Sequence, residues 1–332
     1  MVRPGAERAD RCITVSLARS TAHPMPRPAE RNPYDLTANL ALPRGDEAPP
    51  RELFHYTSPE GLLEIVSSNR IWATNLQFMN DPSELRYGVR LFLDLLRRER
   101  GAGRYPAVAR LLEEADQKVE LFYRRIRFYA VSFCDDGGDR LSQWRTYAKE
   151  GTGYSIGFRS ADLVNSLARE ARRRSLQTRL IRVVYNRRQQ EALVQAALER
   201  IGGYLRKSRA GAGAGRKPDP ERLANLFCIH LFPYVLSFKA AGFAEEREWR
   251  LVRWLPSESE KKEVKFRTSE RFVIPYIELN LADSRLRGKL PITKIVQGPR
   301  VEPEAGLSSL DLLAQKYGYG NVDLVASRTP LR

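Results

Sequence analysis

Strand-length apolar runs recur from residue 53 to residue 326, separated by helical stretches of unequal length and never as regular strand–helix–strand units. That irregular interleaving constrains the fold more than any single motif does. A parallel, doubly wound sheet needs a crossover helix after each strand, whereas an α+β fold built on antiparallel pairing tolerates unequal connections. The chain is therefore expected to be α+β, with mixed, mostly antiparallel sheets flanked by helices.

The clearest strand is 127–134, Arg-Phe-Tyr-Ala-Val-Ser-Phe-Cys, which runs into the turn sequence Asp-Asp-Gly-Gly-Asp at 135–139. Other strands are predicted at 53–56, 70–74, 153–158, 178–185, 248–255, 264–266, 271–278, 292–297 and 321–326. Ser58 followed by Pro59 is a helix start, the hydroxyl as cap and the proline at the first helical position. Asp81, Pro82 and Glu84 form a second start with capping-box spacing, opening a helix to about residue 100. Further helices are expected at 106–125, 141–148, 188–206, 219–236 and 302–317.

Residues 1–48 carry frequent prolines and no surviving apolar period, which predicts a poorly ordered leader. Residues 49–332 are read as a single α+β domain. Within it a small-residue stretch at about 207–219 reads as a flexible loop in a basic helical insertion. The chain has a formal net charge of +16, and from Arg159 to Lys217 fifteen basic residues face only four acidic ones. Such a segment suits a polyanion held through phosphate contacts, with Arg172, Arg173 and Arg174 as candidate nucleic-acid-binding residues. It equally suits a solvated basic face. The three cysteines, Cys12, Cys134 and Cys228, lack metal-type spacing and read as free thiols. No apolar run has the length of a membrane span and no signal pattern is present, so a cytoplasmic location without membrane contact is expected.

Of three histidines, His23 lies in the leader and His230 in a helical pattern. His55 alone stands at a strand-to-helix junction, in Leu-Phe-His-Tyr-Thr. Four clusters set polar groups at strand ends: His55-Tyr56-Thr57; Asn80-Asp81-Pro82-Ser83-Glu84; Ser132-Phe133-Cys134 with Trp144 and Tyr147 just beyond; and Glu245-Glu246-Arg247-Glu248-Trp249-Arg250. Each has a plain structural use. His55 can bond a neighbouring carbonyl, Asp81 and Glu84 can cap a helix, Trp144 and Tyr147 can fill a core, and Glu248 with Arg250 can form a charge ladder on one strand face.

Together, and in this order, the four clusters resemble a bacterial family of unknown function, domain family 2971, over about residues 52–332. Ile295–Pro299 and Ser327–Arg332 resemble its closing segments, with Leu331 where an aromatic is more usual. The opening His-x-Thr strand followed by a helix and a short strand also resembles, more distantly, the ADP-ribosyltransferase fold of the His-Tyr-Glu type. That resemblance implies NAD as substrate, with His55 and Thr57 on its adenosine ribose and Glu248 on a late strand as the catalytic carboxylate. Tyr56 stands where that motif has Gly. The stacking aromatic is open among Trp72, Tyr87 and Tyr147, while Arg250 or Arg145 would meet the pyrophosphate. Asn80, Ser132, Trp144 and Glu246 complete the candidate binding set. No metal is implied. The activity implied is cleavage of the nicotinamide–ribose bond with transfer to a protein or nucleic-acid acceptor, as in toxin or phage-defence settings. Two other readings stay open: a non-catalytic nucleotide- or nucleic-acid-binding module, and a metal-dependent nuclease using His55, Asp81 and Glu84.

Overall fold

The computed structural model describes residues 48–79, 82–103, 113, 127–174, 178–211, 234–255, 262–269, 272–282, 286 and 288–331. Its strands are β1 (Glu52–Thr57), β2 (Ile71–Asn75), β3 (Arg127–Cys134), β4 (Tyr154–Arg159), β5 (Thr178–Arg182), β6 (Glu248–Leu255), β7 (Lys265–Thr268), β8 (Val273–Leu279), β9 (Ile292–Gln297) and β10 (Asp323–Ala326). They join one sheet in the order β10-β9-β4-β1-β3-β2-β8-β7, with β6 paired to β3 and β5 paired to β6. The ladders are antiparallel except β9 with β10. The helices are α1 (Pro59–Ser68), α2 (Pro82–Gly101), α3 (Leu141–Tyr147), α4 (Ser160–Arg174), α5 (Arg187–Gly211) and α6 (Pro303–Lys316). The architecture is α+β, with a mostly antiparallel open sheet.

Alternation along the strands decides which face is covered. Leu53 of β1, Tyr129, Val131 and Phe133 of β3, Ile156 of β4 and Ile277 of β8 enter one core with Leu62, Ile65 and Val66 of α1, Leu163 and Leu167 of α4, and Leu310 and Ala314 of α6. Each such side chain contributes roughly 1.5–3 kcal/mol of burial before chain entropy is counted. On the opposite face, smaller clusters form around Ala130, Ile181, Leu236 and Val252 and around Phe54, Tyr56, Cys134 and Trp144.

β3 is where the sheet divides. Along one edge it pairs with β6 over its full length, from Arg127 opposite Leu255 to Cys134 opposite Glu248. Its other edge is shared. β2 pairs at Thr74–Ala130 and Asn75–Tyr129, and β1 pairs only at Phe54–Cys134. Between those pairings, β1 and β2 part and leave a notch beside Val131 to Phe133.

Local chemistry explains the helix ends. Ser58 Oγ accepts the Gly61 N–H at 3.1 Å, and Asn69 closes α1 in the left-handed region at φ 54°. Glu302 caps α6 by accepting from the amides of Glu304 (3.1 Å) and Ala305 (2.7 Å). Three elements differ from the sequence expectation. Helix α4 was not anticipated, because its basic residues hide an apolar stripe in which Leu163 and Leu167, one turn apart, are both buried. α5 continues to Gly211 and so takes in residues assigned to a flexible loop by composition; Lys, Arg and Ala there are good helix formers. β5 stops at Arg182 rather than 185: Val183 N–H makes a last bond to β6, at the Glu248 carbonyl (2.9 Å), and Val184 N–H then turns to a new partner, the Ser237 carbonyl, at 2.7 Å. All but residue 113 of the helix expected at 106–125 and most of that at 219–236 lie outside the described residues, as do residues 1–47 and 212–219.

Candidate functional site

A cavity of about 200 Å³ opens at the notch in the sheet. Its lining includes His55, Tyr56, Trp72, Ser132, Tyr147, Glu246, Glu248 and Arg250, eight positions that the sequence singled out on five separate segments. Thr74, Cys134, Gln143, Lys239 and Arg267 also line it.

Ser132 joins the two sides of the site. Its carbonyl lies 2.9 Å from His55 Nδ1, and its hydroxyl donates to Glu248 Oε1 at 2.6 Å. A carbonyl only accepts, so His55 carries its proton on Nδ1 and Nε2 is an acceptor. No described residue bonds Nε2. Burial lowers the His55 pKa; the Ser132 bond opposes this, and the nearby Arg267 cation adds to the lowering. The imidazole is therefore neutral at pH 7. Its plain structural use, a bond to a neighbouring carbonyl, coexists with a place on the cavity wall.

Glu248 is buried and crowded with donors. Oε1 accepts from Ser132 Oγ and from Arg250 Nε at 2.7 Å; Oε2 accepts from Arg250 Nη2 at 2.8 Å and faces Lys239 Nζ at 3.4 Å. Burial pushes its carboxyl up, but Arg250, Lys239 and Ser132 together more than offset this and hold it below the ordinary range. Lys239 also pairs with Glu246 Oε2, whose other oxygen accepts from Tyr147 at 3.2 Å. Two cations and two carboxylates thus form a neutral group on the cavity floor. Spacing along a strand placed Glu246 on the Glu248 face. Instead Glu246 ends a 3-10 turn, Ala241–Glu246, and Arg247 in the left-handed region (φ 44°) separates it from β6.

The aromatic wall is Trp72 of β2, backed by Tyr276 of β8 with ring centroids 4.5 Å apart. Tyr147 and Tyr56 also line the cavity. Tyr56 donates to Asp136 at 2.9 Å, accepts the Arg140 N–H at 3.0 Å, and stands edge-on to Trp144 at 5.0 Å.

Several sequence candidates lie elsewhere. Thr57 shares the His55 face of β1 but packs against the start of α1, where a Cβ on Gly61 would fall 2.0 Å from its Oγ1. Trp144 is fully buried and donates to Asp139 at 2.7 Å, so it is a core residue beneath the site. Tyr87 bonds Gln190 at 3.1 Å, between α2 and α5. Arg145 is exposed and does not line the cavity, while Arg250 is committed to Glu248. Asn80, Asp81 and the side chain of Glu84 lie outside the described residues. So do the side chains of Arg172, Arg173 and Arg174, on the last turn of α4. Among the described residues no three His, Cys, Asp or Glu side chains group as metal ligands would, and no helix is long and apolar enough to cross a membrane. Lys239 and Arg267 line the cavity without any sequence signal: each stands alone in its segment, and only the folded chain brings it there.

Residues 143–251 match the family model described as protein of unknown function, DUF2971. The DUF2971 match agrees with the motif resemblance over that segment, from Gln143 on α3 to Leu251 on β6. It takes in Tyr147, Lys239, Glu246, Glu248 and Arg250, which make up most of the charged floor, and leaves out His55, Trp72 and Arg267. No curated protein and no solved structure matches the chain.

Proposed function

We propose that this cleft binds NAD and that the protein is an ADP-ribosyltransferase-like enzyme which cleaves the nicotinamide–ribose bond. The observation that carries the reading is the double use of Ser132: one residue fixes a neutral His55 and an ionised Glu248 on the same cavity. Departure of nicotinamide builds positive charge on the ribose, as in glycoside cleavage. A carboxylate that is ionised and held in place suits that charge and needs no reorganisation to meet it. His55 Nε2, a fixed acceptor, suits a ribose hydroxyl. Trp72, backed by Tyr276, offers an aromatic face for a planar ring. The acceptor of the ADP-ribosyl group is a protein or a nucleic acid, the latter favoured by the basic stretch from Arg159 to Lys217.

A second reading, nucleotide binding without catalysis, is favoured by one observation. The two Glu248 oxygens already meet four donors, which is about the capacity of a carboxylate. One experiment separates the two. The full chain is incubated with NAD, with protein, RNA and DNA acceptors supplied, while binding is followed by calorimetry and nicotinamide by mass spectrometry. The enzyme reading expects nicotinamide release that Trp72→Ala and Glu248→Gln abolish. Binding of intact NAD with no release leaves the binding module. No binding and no release removes both.

A further inference from the structure

Arg267 is the cation on the cavity wall that no described carboxylate answers. It lies on β7, the edge strand, and its side chain crosses β8 to reach β2, where Nη2 donates to Thr74 Oγ1 at 3.1 Å. The other cations of the cleft are engaged: Lys239 with Glu246 and Glu248, Arg250 with Glu248. Its strand neighbour Lys265 is engaged as well, with Glu278 at 2.7 Å. We propose that Arg267 is the anion-binding residue of the cleft and selects a ligand carrying a phosphate, which it holds over Thr74.

The position fits the rest of the site. Thr74 pairs with Ala130, two residues before Ser132, so Thr74 and Ser132 are diagonal neighbours on one face, about 7–8 Å apart for such a pair. A phosphate at the guanidinium and a ribose at Ser132 and His55 would thus be adjacent groups of one sugar phosphate. A planar guanidinium presents a fork of donors that matches two phosphate oxygens at once. Its hydrogen bond to the Thr74 hydroxyl uses one N–H and holds the fork over the cavity. Partial burial lowers the Arg267 pKa, with Tyr276 opposing, as for a cation that lacks an anion at its side. Bringing in a phosphate supplies that anion.

This inference rests on the nucleotide reading of the cleft, and two probes keep the two apart. Affinities for NAD and for inorganic pyrophosphate are measured by calorimetry on the wild-type chain, Arg267→Ala and Arg267→Lys. Arg267 sits exposed on an edge strand, so Arg267→Ala is expected to fold, with an unchanged circular dichroism spectrum. Both probes should bind the wild type. Arg267→Ala should weaken each by roughly tenfold or more, the loss expected for a hydrogen bond to a charged group, and Arg267→Lys should recover only part. If pyrophosphate binding depends on Arg267 while NAD does not bind, the NAD reading falls and the anion site stands. If NAD binds wild type and Arg267→Ala alike, the anion site falls and the NAD reading stands. If neither probe binds, both fall.

Discussion

Arg250 grips both oxygens of Glu248 from two residues along the same strand, Nε on Oε1 at 2.7 Å and Nη2 on Oε2 at 2.8 Å. With Lys239 and Glu246 they form a buried neutral quartet, and Arg250 Nη1 also holds the Leu236 carbonyl at 3.1 Å. Such a group is balanced only while complete. Glu248→Gln removes one charge and leaves two buried cations facing a single carboxylate. That should destabilise the fold by about 3–5 kcal/mol, the usual result of breaking a buried pair from one side. Urea unfolding of the variant measures it; a loss under about 1 kcal/mol would mean that the quartet is well solvated.

Acid should weaken the fold in two stages. Unfolded, His55 takes up a proton near its ordinary value of 6.5; folded, burial holds its pKa lower. As pH falls below 6.5 the unfolded chain binds a proton that the native one refuses, so the contribution present above 6.5 is lost, by at most about 1.4 kcal/mol per pH unit. Glu248 acts later. Its folded pKa lies below the ordinary 4.5, so its contribution is present above 4.5 and lost as pH drops through the folded value. Urea midpoints at pH 7.5, 6.5 and 5.5 check the first stage. His55→Asn, whose amide nitrogen stands where Nδ1 does and can still donate to the Ser132 carbonyl, should flatten that slope; an unchanged slope would remove His55 as its source.

Much of this molecule was readable from local sequence. Ser58 and Pro59 start α1 where expected, and β3 and β6 have the expected ends, because caps and continuous apolar runs act over a few residues. His55, Ser132, Glu246, Glu248 and Arg250 also stood out, since each sits at or beside the end of a strand. What could not be read is what pairing over long separations creates. The notch exists because β1 and β2 share one edge of β3, and nothing within either strand records that. Lys239 reaches Glu246 and Glu248 from an otherwise unremarked turn, and Arg267 crosses a whole strand to reach Thr74. Thr57 and Trp144 were expected at the ligand but do not line the cavity: spacing gives the face of a residue but not what covers that face.

Asp139 ties the C-terminal segment to the helix beneath the cavity. Its carboxylate accepts from Trp144 Nε1 and the Arg328 N–H, each at 2.7 Å, from Thr329 Oγ1 at 2.9 Å and from the Ser327 hydroxyl. These bonds outweigh its partial burial and lower its pKa. Asp139→Ala leaves the buried indole N–H unpaired and frees residues 327–331. A cost of about 2–3 kcal/mol is expected from the orphaned donor and the lost charged bonds. Thermal melting measures that cost, and limited trypsin digestion should show early cleavage at Arg328. A variant that melts and digests like wild type would mean that Leu331 packing and the backbone bonds of the tail, such as Ser327 N–H to the Gln297 carbonyl at 2.8 Å, hold it without the carboxylate.

Gly88 supplies a test in which helix propensity and packing oppose each other. It is buried midway along α2, where alanine would ordinarily favour the helix by about 0.8–1.0 kcal/mol. Here a Cβ would fall 2.4 Å from the Val235 carbonyl oxygen and 3.2 Å from Val235 Cγ1. The nearer atom is backbone and cannot rotate away, so α2 must shift from the Val235 segment. Gly88→Ala should therefore destabilise, by about 1–3 kcal/mol as overpacked sites do. Gly101→Ala, at the exposed end of the same helix with nothing within 4 Å, is the control and should be neutral or slightly stabilising. Urea midpoints of the two variants decide it. Equal gains in both would mean that α2 and Val235 do not meet as closely as this contact requires.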